Sequence, residues 1–302
     1  KPTRLGIDFA QPLASGRIRI QVTRATPLLP AAATAPDAPV AALGNLSTLN
    51  TTRTGEGSLI AGFTLAGPGR RSVLLRAVGP GLAPFGVTGT LRDPVLVLRH
   101  AAGEVARNDN WPAATLAAAA ARVGAFALPA GSADAGILTE LSGGSYTAQV
   151  ESTDGGAGAT LVELYDAGGG TARLVNLSTR GTTAPGAPLT IGLSVGEGAP
   201  RWFLLRGIGP ALTQFGVTGA LADPQLAVFS GSRPVMQNDD WNVSSWGSEV
   251  AAAAAAVQAF ALPSTSADAA LLVQLPPGNY TFQVSGKGPA TGTVLGEAYQ
   301  LP

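Results

Sequence analysis

The sequence predicts an all-β protein: two tandem jelly-roll-like β-sandwich domains, each with one short alanine-rich helix, preceded by an extended N-terminal β arm. Three observations carry this expectation. The first is an internal repeat. Residues 76–94 (RAVGPGLAPFGVTGTLRDP) and 206–224 (RGIGPALTQFGVTGALADP) share twelve of nineteen positions at a constant offset of 130. A period of that size marks duplicated domains, each of which must make physical sense. The second is a succession of short, branched apolar runs bounded by Gly and Pro, which read as strands. The third is the supply of turn residues, with 40 glycines and 23 prolines in 302 residues.

The arm, residues 1–25, alternates apolar and other residues twice. Leu5, Ile7 and Phe9 form one series, and Ile18, Ile20 and Val22 the other. Period two is the signature of a strand with one buried face. Two such strands alone are marginal in water, so the arm is expected to pair with another sheet. Residues 26–44, rich in Pro and Ala, form a semi-rigid linker. Residues 16–22 (GRIRIQV) also resemble GSYTAQV at 144–150 and GNYTFQV at 278–284.

The copies are placed at 45–170 and 171–302, each opening on NLST. SLIAGFTLA and RSVLLRAVG, with counterparts PLTIGLSV and RWFLLRGIG, are strands that lead into the shared stretch. VLVLRH or QLAVFS follows, then NDNW (108–111) or NDDW (238–241). Alanine, the best helix former, predicts helices over 113–125 and 248–259. Phe-Ala-Leu-Pro is expected to stop each one. Between Trp111/Trp241 and Phe126/Phe260 the offset grows from 130 to 134, which places an insertion in the helical region. A last pair of strands completes roughly eight per copy, the number of a jelly roll.

Nineteen basic and nineteen acidic residues balance to zero, so no basic field exists to hold nucleic acid. No apolar run reaches the roughly 20 residues of a membrane helix. With no cysteine, thiolate chemistry and cysteine-based metal sites are excluded. His100 is the single histidine, and its counterpart is Ser230, so Ser-His systems lack a repeated basis. No leader is visible at Lys1, and the chain is read as mature or trimmed.

Asp109, Asp239 and Asp240 are the candidate metal ligands, because Ca²⁺ takes oxygen donors. The same Asn/Asp clusters suit a turn, which is the preferred reading. Trp111 and Trp241 are expected to anchor a core beneath the helix. Arg76 with Asp93, and Arg206 with Asp223, are expected to form a paired bond in each copy, with Asp134 and Asp268 as competing partners. Phe85 and Phe215 are expected to be buried. No carboxylate pair suggests a glycosidase, no catalytic residue is assigned, and no cofactor is implied.

The order D-P-x-L-x-V, N-D-x-W, then L-x-x-L-x-x-G-x-Y-T-x-Q-V resembles a repeat near the C-termini of large secreted proteins of environmental bacteria. It is more distantly similar to the bacterial pre-peptidase C-terminal β-sandwich. That resemblance implies an accessory, surface or binding part outside the cell. The expected function is a non-catalytic structural protein, a self-assembling surface fibre subunit joined by strand addition of the arm. The alternative is a carbohydrate-binding or accessory module of a secreted hydrolase. The expected partners are further copies of the chain and surface polysaccharide.

Overall fold

The computed structural model describes residues 43–53, 57–243 and 245–302. The arm and all of the linker but its last two residues lie outside the described residues. The described residues belong to one compact unit.

The first copy contains β1 (Leu43–Thr52), β2 (Ile60–Val78), β3 (Pro94–His100), β4 (Gly103–Asn108), α1 (Ala113–Arg122), β5 (Ala135–Ser152) and β6 (Gly158–Gly168). The second contains β7 (Arg173–Thr183), β8 (Leu189–Val195), β9 (Arg201–Ile208), β10 (Pro224–Ser230) and β11 (Arg233–Asn238). It continues with α2 (Gly247–Ala256), β12 (Ala269–Leu275), β13 (Gly278–Gly286) and β14 (Gly292–Gln300). β2 corresponds to β8 plus β9, and β5 to β12 plus β13. The protein is therefore mostly strand, and its ladders are antiparallel.

Tracing the ladders gives two layers. One runs β4, β3, the C-terminal half of β5, the N-terminal half of β2, β7, β14, β9, β12. The other runs β11, β10, β13, β8, β1, β6, the C-terminal half of β2, the N-terminal half of β5. Exchanging the two copies converts one order into the other. β2 and β5 pass between layers at a shift in register between Leu65 and Arg70. There Gly67 and Gly69 take φ of 97° and 84°, a region side chains avoid.

The boundary between the copies thus lies in the chain and not in the sheet. β1 of the first copy bridges its own β6 to β8 of the second. β7 of the second copy likewise bridges its own β14 to β2 of the first. Two tandem sandwiches over 45–170 and 171–302, the expectation from the repeat, would each pair only their own strands, and these two ladders cross between the copies. The NLST strands are the crossing elements. Their inward threonines, Thr48 and Thr179, are fully buried and hydrogen-bond to each other at 2.9 Å. Each hydroxyl needs a partner once removed from water.

One large core fills the space between the layers and draws on both copies, with Leu46, Phe63 and Leu164 from the first and Leu177, Phe203 and Phe282 from the second. Two smaller clusters lie outside it. Leu74, Val78, Trp111, Leu116 and Ala120 pack under α1. Leu204, Ile208, Trp241, Val250 and Ala253 pack under α2. The two tryptophans are 4% and 6% exposed. The extra residues of the second copy precede α2, between Trp241 and Gly247. Each helix also ends earlier than Phe-Ala-Leu-Pro requires, at Arg122 and Ala256. In α1 a left-handed Gly124 supplies the stop, with Ala125 N–H bonded to the Ala120 carbonyl and Gly124 N–H to that of Ala121.

Candidate functional site

The polar residues shared by the two copies converge on two buried arginines. Arg76 and Arg206 show no solvent exposure. A guanidinium keeps its charge in a protein, so burial demands a carboxylate and satisfied donors. Arg76 Nε donates to Glu163 Oε2 at 2.8 Å, and Nη2 donates to the same oxygen. Nη1 donates to the Phe126 carbonyl at 2.6 Å. The second copy repeats this with Glu297 (2.8 and 2.5 Å) and the Phe260 carbonyl (2.6 Å). Phe126 and Phe260 also place their rings 4.4 Å from the guanidinium carbon. Tyr165 and Tyr299 donate to the remaining glutamate oxygen at 2.6 and 3.0 Å. Burial, then the glutamate charge, pushes both phenols well above their ordinary range.

The expected partners Asp93 and Asp223 are not in this node. Asp93 accepts from Thr153 Oγ1 at 2.7 Å, and Asp223 lies 3.5 Å from Lys287 Nζ. Standing just before β3 and β10, they tie those strands to the residues that directly follow β5 and β13, where Thr153 and Lys287 N–H reach the aspartate carbonyls. Glu163 and Glu297 take the arginines because β6 and β14 run beside β2 and β9 in the ladder, Arg76 opposite Glu163 and Arg206 opposite Glu297. Asp134 and Asp268 do not pair with the arginines either. Both are fully buried and receive backbone N–H groups at the start of a 3-10 turn. Asp134 accepts from Gly79 (2.7 Å) and Gly81 (3.1 Å), and Asp268 from Gly209 (2.8 Å) and Ala211 (3.2 Å). A carboxylate there satisfies donors that have no partner within the turn. The shared nineteen-residue stretch is thereby clamped. A Cβ on Gly79 or Gly209 would overlap the carbonyl of Leu91 or Leu221.

Phe85 and Phe215 are 62% and 58% exposed, against the expectation of burial. They end the turns Pro80–Phe85 and Pro210–Phe215, just before a left-handed glycine. Each stands edge-on to Phe126 or Phe260, with centroids 4.8 and 4.9 Å apart. They shield the ring that covers the arginine and do not enter the core.

The Asn-Asp clusters act through their asparagines. Asn108 Oδ1 accepts from Gly136 N–H at 2.8 Å, and Asn238 Oδ1 from Ala270 N–H at 2.9 Å. Each stitches an outer strand of one layer to the outer strand of the other. Asp239 meets Lys287 at 3.3 Å. Among the described residues no group of three or more His, Asp or Glu side chains is placed to hold a metal ion, so Asp109, Asp239 and Asp240 do not converge. His100 is exposed and packs on Tyr146, centroids 5.1 Å apart. The arm residues Leu5, Ile7, Phe9, Ile18, Ile20 and Val22 lie outside the described residues.

Two surface features remain. β4 and β11 each pair on one side only among the described residues. They expose Val105 (44%), Val235 (46%) and Met236 (40%). A groove of about 810 Å³ runs where the bare face of β1, β8 and β13 meets the C-terminal end of α1. Sequence patterning could not find the groove, because its walls come from both copies. No helix among the described residues is long and apolar enough to cross a membrane.

No family model matches the chain, and no curated protein matches it. Among solved structures it is similar to PNGF-II at 10% identity and a TM-score of 0.21, covering 87% of this chain and 58% of that one. It is similar to vicilin from Corylus avellana (hazelnut) at 6% identity and a TM-score of 0.18, covering 86% of this chain and 79% of that one. Likenesses this slight carry neither a fold nor a function.

Proposed function

We propose that the chain is a non-catalytic, extracellular structural protein, a surface fibre subunit joined to its neighbours by β-strand addition of the N-terminal arm. The observation that carries the assembly reading is the half-paired edge of β11, with Val235 and Met236 exposed on it. An incoming strand gains backbone hydrogen bonds along such an edge and packs alternate side chains on it. β4 is guarded by charge, with Arg107 paired to Glu104 and Glu151. β11 carries its charges only at its ends, at Arg233 and at Asp239, which pairs with Lys287. Pro234 removes one donor from it and leaves the others. The arm has the matching pattern in Leu5, Ile7, Phe9 and Ile18, Ile20, Val22.

The non-catalytic reading is supported by how the duplicated polar groups are used. Arg, Glu, Tyr, Asp and Asn recur in both copies, and each is committed to bracing a ladder or a turn. A copy on its own supplies eight strand segments in jelly-roll-like order, and duplication with exchange of the NLST strand would produce the present sandwich. The secreted-repeat resemblance agrees with a place outside the cell.

The test is light scattering with electron microscopy on the full chain and on a chain lacking residues 1–25. The full chain should form filaments and the truncated chain should stay folded and single. Fibres from the truncated chain, or a full chain that stays monomeric at high concentration, would replace this reading with that of an accessory module.

A further inference from the structure

We infer that the groove between the β1/β8/β13 face and the end of α1 binds a short stretch of neutral oligosaccharide. This goes beyond assembly and holds whether the chain polymerises or stays single.

The floor is made by side chains that point away from the core. Along β1, Leu46 and Thr48 turn inward, which leaves Asn45 and Ser47 on the outer face. Along β8, Gly192 and Ser194 alternate with the buried Ile191, Leu193 and Val195. Asn279 and Thr281 stand beside them on β13. Gly192 keeps the centre of the floor open, because a Cβ there would overlap Ser47 Oγ. The wall is Arg122, Val123 and Gly124 at the end of α1.

The chemistry of this lining selects the ligand. Asn45, Ser47 and Thr281 make no side-chain hydrogen bond among the described residues. Asn279 Oδ1 accepts from Ser194 Oγ at 2.8 Å, which leaves the amide N–H groups free to donate. These groups both donate and accept, as sugar hydroxyls do. The carboxylates at the rim are neutralised: Asp166 lies 2.6 Å from Arg71, and Glu163 is held by Arg76. Arg122 makes no ion pair among the described residues. Its planar fork of donors suits two adjacent hydroxyls, and a single cation is a poor clamp for phosphate. Neighbouring strands set the floor groups about 4.8 Å apart.

The pseudo-equivalent face of the other layer retains Ser178 and Gly62 but replaces Arg122 by Ala256, Asn279 by Ser145 and Asp166 by Gln300. One site per chain is therefore expected, not two.

The experiment is calorimetric titration of the full chain with cellohexaose, maltohexaose and mannohexaose. At least one should bind at one site per chain. Arg122→Ala and Asn279→Ala should each weaken it about tenfold, equivalent to about 1.4 kcal/mol. Ser145→Ala on the opposite face should leave it unchanged. These side chains are at the surface, and unchanged melting temperatures would show that the fold is intact. No binding of any hexaose at about 10 mM, a stoichiometry of two, or affinity indifferent to both groove substitutions would each overturn the inference.

Discussion

Arg206 illustrates what a single buried charge requires. It has no access to water, and every donor nitrogen of its fork has a protein acceptor. Removing one member of such a pair strands the other, whereas removing both can be close to neutral. Arg206→Met is therefore expected to destabilise by about 3–5 kcal/mol, because Glu297 is left buried with its charge. Arg206→Met combined with Glu297→Leu should recover most of that loss. Urea denaturation of the three variants measures it; a double variant as unstable as Arg206→Met would mean that the node acts through shape and not charge. Phe215 belongs to the same node from the outside, and its edge contact with Phe260 is worth about 0.5–1.5 kcal/mol beyond area.

The two helices compare one device at two positions. α1 and α2 end on the same pattern of carbonyl bonds, with Ala125 N–H reaching Ala120 and Ala259 N–H reaching Ala254. The left-handed residue is Gly124 in the first copy, but Gln258 in the second, at φ 58°. A side chain in that region carries a steric cost that glycine avoids. Gln258→Gly is expected to raise stability by about 1 kcal/mol, read as a higher urea midpoint at unchanged slope. Gly124→Gln should lower it comparably. A stabilised Gly124→Gln chain would show that the helix end is held by contacts other than its backbone.

At the scale of the molecule the two copies share one core and exchange one strand. β1 and β7 each lose a ladder partner if the chain is cut between the copies. A fragment of residues 171–302 would leave β8 without β1 and β7 without β2, with Thr179 deprived of Thr48. Unpaired edges and an opened core are more than marginal stability tolerates. The fragment is expected to be unfolded by circular dichroism, and residues 43–302 to melt in one transition. Two separate calorimetric transitions, or a folded fragment, would mean that the copies are independent after all.

Local pattern was enough for the β character, the two alanine-rich helices, the strand runs and the duplication itself. These depend on residue periodicity and on identity at a fixed offset, which a linear chain displays directly. The burial of Trp111 and Trp241, at matching places under their helices, was legible for the same reason. What depended on which strand lies beside which was not. Arg76 meets Glu163 because the ladder sets them opposite each other, while Asp93, closer in sequence, sits at the far end of a turn. Phe85 has the apolar character of a core residue, but the preceding 3-10 turn carries it to the surface. The exchange of NLST strands and the polar groove beside α1 need both copies in three dimensions, since hydrogen-bond partners in a sheet are chosen by non-local pairing. The amino-acid sequence determined the modules; only the tertiary structure decided that they interleave.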